Sequence, residues 1–216
     1  MAYFAKVFVG FFILIPGLIG LFRLKKIHNS YYTFIFLLWV GIVNECVGNL
    51  TAWYFRTTAV NSNIYCLAES LLITHLFNKW RLFSKPIFFN VLIFLLPLIW
   101  FTENFIIGNV HSFNSFFTVF YSFIIVLESI AFINKTLISE RQSLLKNAQF
   151  LICGAFTIFF TYTAFIEIWW KYGSVFSDSF NVKLHNIFIA INLFVNILFS
   201  YAILCMRPKP PSLMQL

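Results

Sequence analysis

The chain reads as an all-α polytopic membrane protein: a bundle of seven transmembrane helices with the N-terminus outside and the C-terminus cytoplasmic. Three observations predict this. Apolar residues fill 61% of the 216 positions and charged residues 10%, with 31 phenylalanines, whereas soluble domains run nearer ~45–50% apolar and ~25% charged. The apolar residues fall into seven long stretches divided by short linkers. A bilayer core ~30 Å thick takes up ~20 residues per helix, so seven spans use most of the chain. Finally, eleven of the fifteen Lys and Arg residues stand in or beside alternate linkers.

Each span has its own bounds. Helix 1 (3–22) stops at Arg23, Lys25 and Lys26. Helix 2 (33–55) starts after Tyr31 and Tyr32 and ends on Trp53 and Tyr54. Helix 3 (64–82) runs into Lys79, Trp80, Arg81 and Lys85, and helix 4 (86–106) carries Trp100 near its far end. Helix 5 (113–134) halts at Lys135, whose linker also holds Arg141 and Lys146. Helix 6 (149–171) closes on Trp169, Trp170 and Tyr172. Helix 7 (183–205) leads into the tail RPKPPSLMQL with Arg207 and Lys209. The other side has only Lys6, Arg56, Lys171 and Lys183, so the positive-inside rule sets the orientation. The aromatic residues at span ends fit the head-group zone, where amphipathic rings settle. Pro16 and Pro97 lie inside helices 1 and 4 and predict kinks, which membrane helices tolerate. The linker at 138–147 predicts a turn or two of surface helix, and the Pro-rich tail (207–216) predicts extended, mobile chain. The bundle at 1–206 is then the whole folded unit.

Charge and cysteine usage exclude several classes. The formal charge of +8 is scattered through brief membrane-flanking turns, which points to anionic lipid head groups on the cytoplasmic side and not to nucleic acid. Cys46, Cys66, Cys153 and Cys205 lie in apolar stretches without CxxC spacing, so they read as packing residues and no metal site is expected. Basic residues follow the first apolar run, and no small-residue cleavage site appears, so helix 1 is expected to stay in place. HExxH, Walker, GxSxG and dinucleotide patterns are missing, and helix 7 has no lysine for a retinal Schiff base; no enzyme activity and no cofactor are expected.

The polar residues of the spans carry the functional expectation. Glu45, Glu69, Glu128 and Glu167 fall within helices 2, 3, 5 and 6. An ionised side chain at helix centre costs ~2.5–3.5 kcal/mol on insertion scales, so such groups face the bundle interior, pair, or bind something. Polar residues also line up at helical spacing: Glu45 with Asn49; Asn114, Thr118, Tyr121 and Glu128; Thr163 with Glu167; His185, Asn192, Asn196 and Ser200. Boundary counting places Glu45 near mid-membrane, Glu69 and Glu167 in the outer third, and Glu128 in the inner third. Glu45, Asn49, Glu69, Glu167 and Asn192 are the expected ligand or ion site. His75, Asn78, Glu128 and Asn196 form an expected inner-half polar group. Interhelical packing by Asn, Ser and Thr at ~0.6 kcal/mol each is the competing reading.

The segments VNSNIY with the following Glu69 (60–69), TENFIIGNVHSFNSFFTVFYSFI (102–124), LLKNAQFLIC (144–153) and TYTAFIEIWWKYG (161–173), with the end of helix 7 and its tail, resemble a family of small seven-helix inner-membrane proteins of Bacteroidota. The resemblance implies membership and topology, not a reaction. Seven helices and an outside N-terminus are also shared with sugar transporters of the 3+1+3 type, but the halves 3–82 and 113–205 show no repeat, and topology alone transfers no function. The resulting expectation is an inner-membrane protein, receptor-like or accessory, that binds a small ligand or cation in an acidic cavity and signals to a separate cytoplasmic partner. A secondary transporter of a small cationic or polar solute and a structural subunit of a membrane complex are the alternatives.

Overall fold

The computed structural model describes residues 10–113, 115–139, 143–172 and 178–209. A 3-10 turn, Phe11–Ile13, leads into α1 (Leu14–Arg23); α2 is Tyr32–Phe55 and α3 is Ala59–Lys79. Next come α4 (Pro86–Phe101), which continues as a π-helical segment Thr102–Ile107, then α5 (Ser115–Ser139), α6 (Ala148–Tyr172) and α7 (Asp178–Leu204). The helices α2, α4, α5, α6 and α7 are long and apolar enough to cross a bilayer, which makes this a multi-pass membrane protein. Helix α3 is the more polar one because it is packed on three sides, against α2, α4 and α5.

The helices close into a ring in the order α1, α2, α3, α5, α6, α7 and back to α1, while α4 lies outside it against α3. Glycines set the α1–α2 spacing: a Cβ at Gly17, Gly20 or Gly41 would stand 2.6 Å from the side-chain tip of Ile42, Ile35 or Ile13. Small residues that let backbones approach are the usual means of membrane-helix packing.

One end of the ring is sealed and laced together. Phe34, Phe77, Trp80, Phe132, Phe156 and Phe199 meet edge-on or tilted with centroids 5.1–6.3 Å apart, a geometry that suits the ring quadrupoles. Below them Arg23 Nη1 donates to Ile203 O at 2.9 Å, Trp80 Nε1 donates to Ser30 O at 3.1 Å, and the Lys135 ammonium donates to Arg81 O. The chain after α7 pairs antiparallel with the α1–α2 linker: His28 N donates to Arg207 O at 3.1 Å and Lys209 N to Lys26 O at 2.8 Å. Every described basic linker lies at this end.

Several boundaries differ from expectation. Helix α3 begins five residues early, at Ala59; its N-cap Thr58 makes no side-chain capping bond, and Ala59 N donates to the Thr57 hydroxyl at 3.2 Å. Helix α5 runs to Ser139, and α7 starts at Asp178. In the 138–147 linker the described residues form one 3-10 turn, Leu144–Lys146, with 140–142 outside the described residues, and Asn147 Oδ1 caps α6 by accepting from Gln149 N and Phe150 N at 2.9 and 3.2 Å. Tail residues Arg207 to Lys209 are held by the pairing above, contrary to the mobile chain expected. Lys6, Asn114, Arg141 and the tail from 210 onward lie outside the described residues.

Candidate functional site

At the end opposite the basic linkers the ring encloses a cavity of about 440 Å³, within the ~300–1,000 Å³ typical of small-molecule sites. Five helices build its polar lining. Glu45 comes from α2; Tyr65, Cys66 and Glu69 from α3; Thr118 and Tyr121 from α5; Thr163 and Glu167 from α6; Asn192 and Asn196 from α7. The rings of Phe156, Phe159, Phe160, Phe188 and Phe199 fill the wall between the last two helices.

Glu69 is the best-organised member. It is 8% exposed, and each carboxyl oxygen accepts from a phenol: Oε1 from Tyr65 at 2.7 Å and Oε2 from Tyr121 at 3.0 Å. Tyr65 precedes it by one helical turn, so the first contact is local. The second crosses from α5 and also brings the Tyr121 hydroxyl to 3.6 Å from Cys66 Sγ, which in turn lies 3.9 Å from Thr118 Oγ1. Both donors to Glu69 are neutral, and no Lys, Arg or His stands among the described lining residues.

Glu45 and Glu167 guard the mouth, both half-buried. Asn61 Nδ2 donates to Asn44 Oδ1 at 2.8 Å, which sets the α2–α3 register and puts Glu45 opposite the first turn of α3. Glu69 is eight residues further along α3, or about 12 Å deeper at 1.5 Å per residue. The expected order of depth is thereby reversed, because α3 starts early and α2 overhangs it. Gly10 makes room for Glu45, since a Cβ there would stand 2.6 Å from Oε2. Glu167 has the Ser115 hydroxyl beside it and the Glu103 carboxylate nearby. Glu103 is occupied: it accepts from Phe116 N at 3.0 Å and Phe117 N at 2.6 Å, capping α5, where the helix dipole favours a negative charge.

On α7, Asn196 is 6% exposed and donates its amide to Asn192 O and Oδ1 at 2.9 and 2.6 Å. Its own Oδ1 has no partner among the described residues. Asn196 therefore belongs to this cavity and not to the inner-half group in which it was expected.

The rest of that group is not assembled. His75 is exposed on α3, its ring 6.3 Å from that of Phe89 on α4, and Asn78 is half-buried in the last turn of α3. Glu128 is 5% exposed, with Thr74 beside it and no hydrogen bond of ordinary geometry on either oxygen. Asn49 also leaves the expected site: its amide donates to Glu45 O at 2.8 Å on its own helix, and it does not line the cavity.

Tyr65, Cys66 and the phenylalanine wall were not singled out from the sequence as binding groups. The i,i+4 spacing of Tyr65 and Glu69 was the available signal; the cross-helix contacts had none. Among the described residues no group of three or more His, Cys, Asp and Glu side chains is placed to hold a metal ion. Comparison with protein-family models, with curated proteins and with solved structures yields no match.

Proposed function

We propose that this is an inner-membrane protein that binds a small amine or other organic cation in the acidic cavity and passes the occupied state to a separate cytoplasmic partner through its basic loops. One observation carries the reading. Carboxyl groups from α2, α3 and α6 line one cavity that has no basic side chain among its described lining residues, and Glu69 there is held only by the neutral phenols of Tyr65 and Tyr121 among the described residues; carboxyl groups within a bilayer mark binding sites for cationic partners. The excess of basic residues at the sealed end supports placing that end in the cytoplasm, so that the cavity opens outward. The aromatic plug beneath the floor favours a receptor-like role over a conduit.

The reading is tested by thermal unfolding of detergent-purified protein against a panel of amines, metal cations and sugars, because native-state binding raises stability by mass action. Stabilisation by amines, lost in Glu69→Gln, is the expected result. A flat panel would instead favour the structural-subunit reading. A secondary transporter is the second reading, and Glu128 favours it: a buried carboxyl group without an ordinary hydrogen bond, beyond the cavity floor on the α3–α5 interface. Amine uptake into proteoliposomes that is abolished by Glu45→Gln would decide for transport.

A further inference from the structure

The inner end of the cavity differs from its mouth, and the difference narrows the amine reading above to one class of amine. Contacts fix what stands at the level of Glu69 on α3. Tyr65, on the same helix, and Tyr121 on α5 both donate to its carboxyl group. Helix α6 meets this level with Phe160, whose ring lies 5.9 Å from that of Tyr121 at 72°. Helix α2 meets it with Gly41, where a Cβ would stand 3.5 Å from the Tyr65 hydroxyl oxygen. All of these residues line the cavity. Further inward the lining continues as rings and hydrocarbon: Phe156 lies 5.9 Å from Phe160 and 5.6 Å from Phe199, and α2 contributes Leu38 and Leu37.

Apart from the two phenols and the Cys66 thiol, the groups that these contacts place around Glu69 are therefore an aromatic ring and hydrocarbon. The asparagines of α7 stand across the ring of helices from α3, and Asn196 donates its amide to Asn192. Such surroundings discriminate between kinds of ammonium. A primary ammonium carries three N–H donors. Each Glu69 oxygen already accepts from a phenol, and the donors turned away from Glu69 meet Phe160 and α2, which offer no acceptor; a buried N–H without a partner weakens binding by about tenfold or more. A quaternary ammonium has no N–H to satisfy, and its charge is drawn to ring faces. Donation to an ionised carboxylate also polarises both phenols, which enriches their rings in negative charge.

We infer that the inner end of the cavity takes a quaternary ammonium, with its methyl groups against Tyr65, Tyr121 and Phe160 and its positive charge opposite Glu69. This rests on the reading of the site as an amine site and adds a requirement for N-methylation.

The test is a methylation series on the purified full-length protein in a maltoside detergent, with affinities taken from isothermal titration. It runs from ethanolamine through its monomethyl and dimethyl derivatives to choline, and adds the neutral alcohol in which carbon replaces the choline nitrogen. The expected result is affinity that rises with methylation, with choline about tenfold or more tighter than ethanolamine and the neutral alcohol about tenfold or more weaker than choline. Phe160→Leu is expected to remove the preference for choline over ethanolamine. Ethanolamine as tight as choline or tighter, panel amines that bind where choline does not, or a preference undiminished in folded Phe160→Leu would overturn the quaternary-ammonium inference and leave the amine reading standing. A neutral alcohol as tight as choline, or no binding by the series and by the amines of the thermal panel, would overturn both. The wild-type series decides the matter even if the variant does not fold.

Discussion

The acidic residues can be told apart by what holds them. Glu69 is clamped between two phenols, so Glu69→Gln keeps an acceptor for one hydroxyl and turns a donor toward the other. Its unfolding midpoint in detergent should stay close to wild type while stabilisation by amines disappears. Tyr121→Phe removes one hydrogen bond to a buried carboxyl group, and chemical denaturation should register a loss of about 1.5 kcal/mol. Glu103→Gln weakens the cap on α5, and the same measurement should fall by about 1 kcal/mol. Glu45, Glu69 and Glu167 were legible in the sequence because a carboxyl group in an apolar span has few places to go other than the interior. Asn49 was misread for a related reason: helical spacing shows which residues share a face but not whether an amide turns back onto its own backbone. Asn196 was placed in the wrong group because its neighbours are set by packing across helices, which the spacing within its own span does not reveal.

At the scale of elements, the α1–α2 contact is the least forgiving. Gly17→Leu would drive a side chain into Ile42, and overpacking of this kind costs about 1–3 kcal/mol; a lower thermal midpoint and a weaker amine response should appear together, since the turn that leads into α1 carries Gly10 and Ile13 on the cavity wall. Helix α4 should be tolerant by contrast. Leu96 is its one buried residue before the π segment, so substitutions at Phe88 or Phe94 should leave the midpoint unchanged. All seven helices could be read from hydropathy, and the errors fell at their ends, five residues each at the start of α3, the end of α5 and the start of α7. Helix α3 starts at Ala59, in a stretch whose polar asparagines made it look like a linker. The peripheral position of α4 was invisible, since its apolar character is uniform and says nothing about which neighbours it lacks.

For the whole molecule, the charge asymmetry predicts that an impermeant maleimide labels Arg56→Cys in intact cells and Lys209→Cys only after permeabilisation, in a background without the four native cysteines. The opposite pattern would invert the topology and place the cavity mouth toward the cytoplasm. The number of helices was legible because bilayer thickness fixes helix length, and five of the seven are long and apolar enough to cross. The order of helices around the ring was not, because it depends on pairs such as Tyr121 with Glu69 that no single span reveals. The pairing of Ile27 with Pro208 was hidden for the same reason, since a Pro-rich tail gives no sign of a partner elsewhere in the chain.

That pairing has a mechanical consequence. Joined near residues 23–28 and 203–209, the first and last helices share a pivot, whereas their opposite ends have no such tie among the described residues. The α1–α7 pair is therefore clamped at its base, while at the rim α7 is tied to α6 instead, through Trp169 Nε1 donating to Asn181 Oδ1 at 3.1 Å and Tyr162 OH donating to Leu184 O at 2.9 Å. On the proposed reading, a guest that draws the rim of α7 inward would turn it about that pivot, and the motion would reach the other face of the bundle as a change of angle between loops rather than a displacement of any one of them.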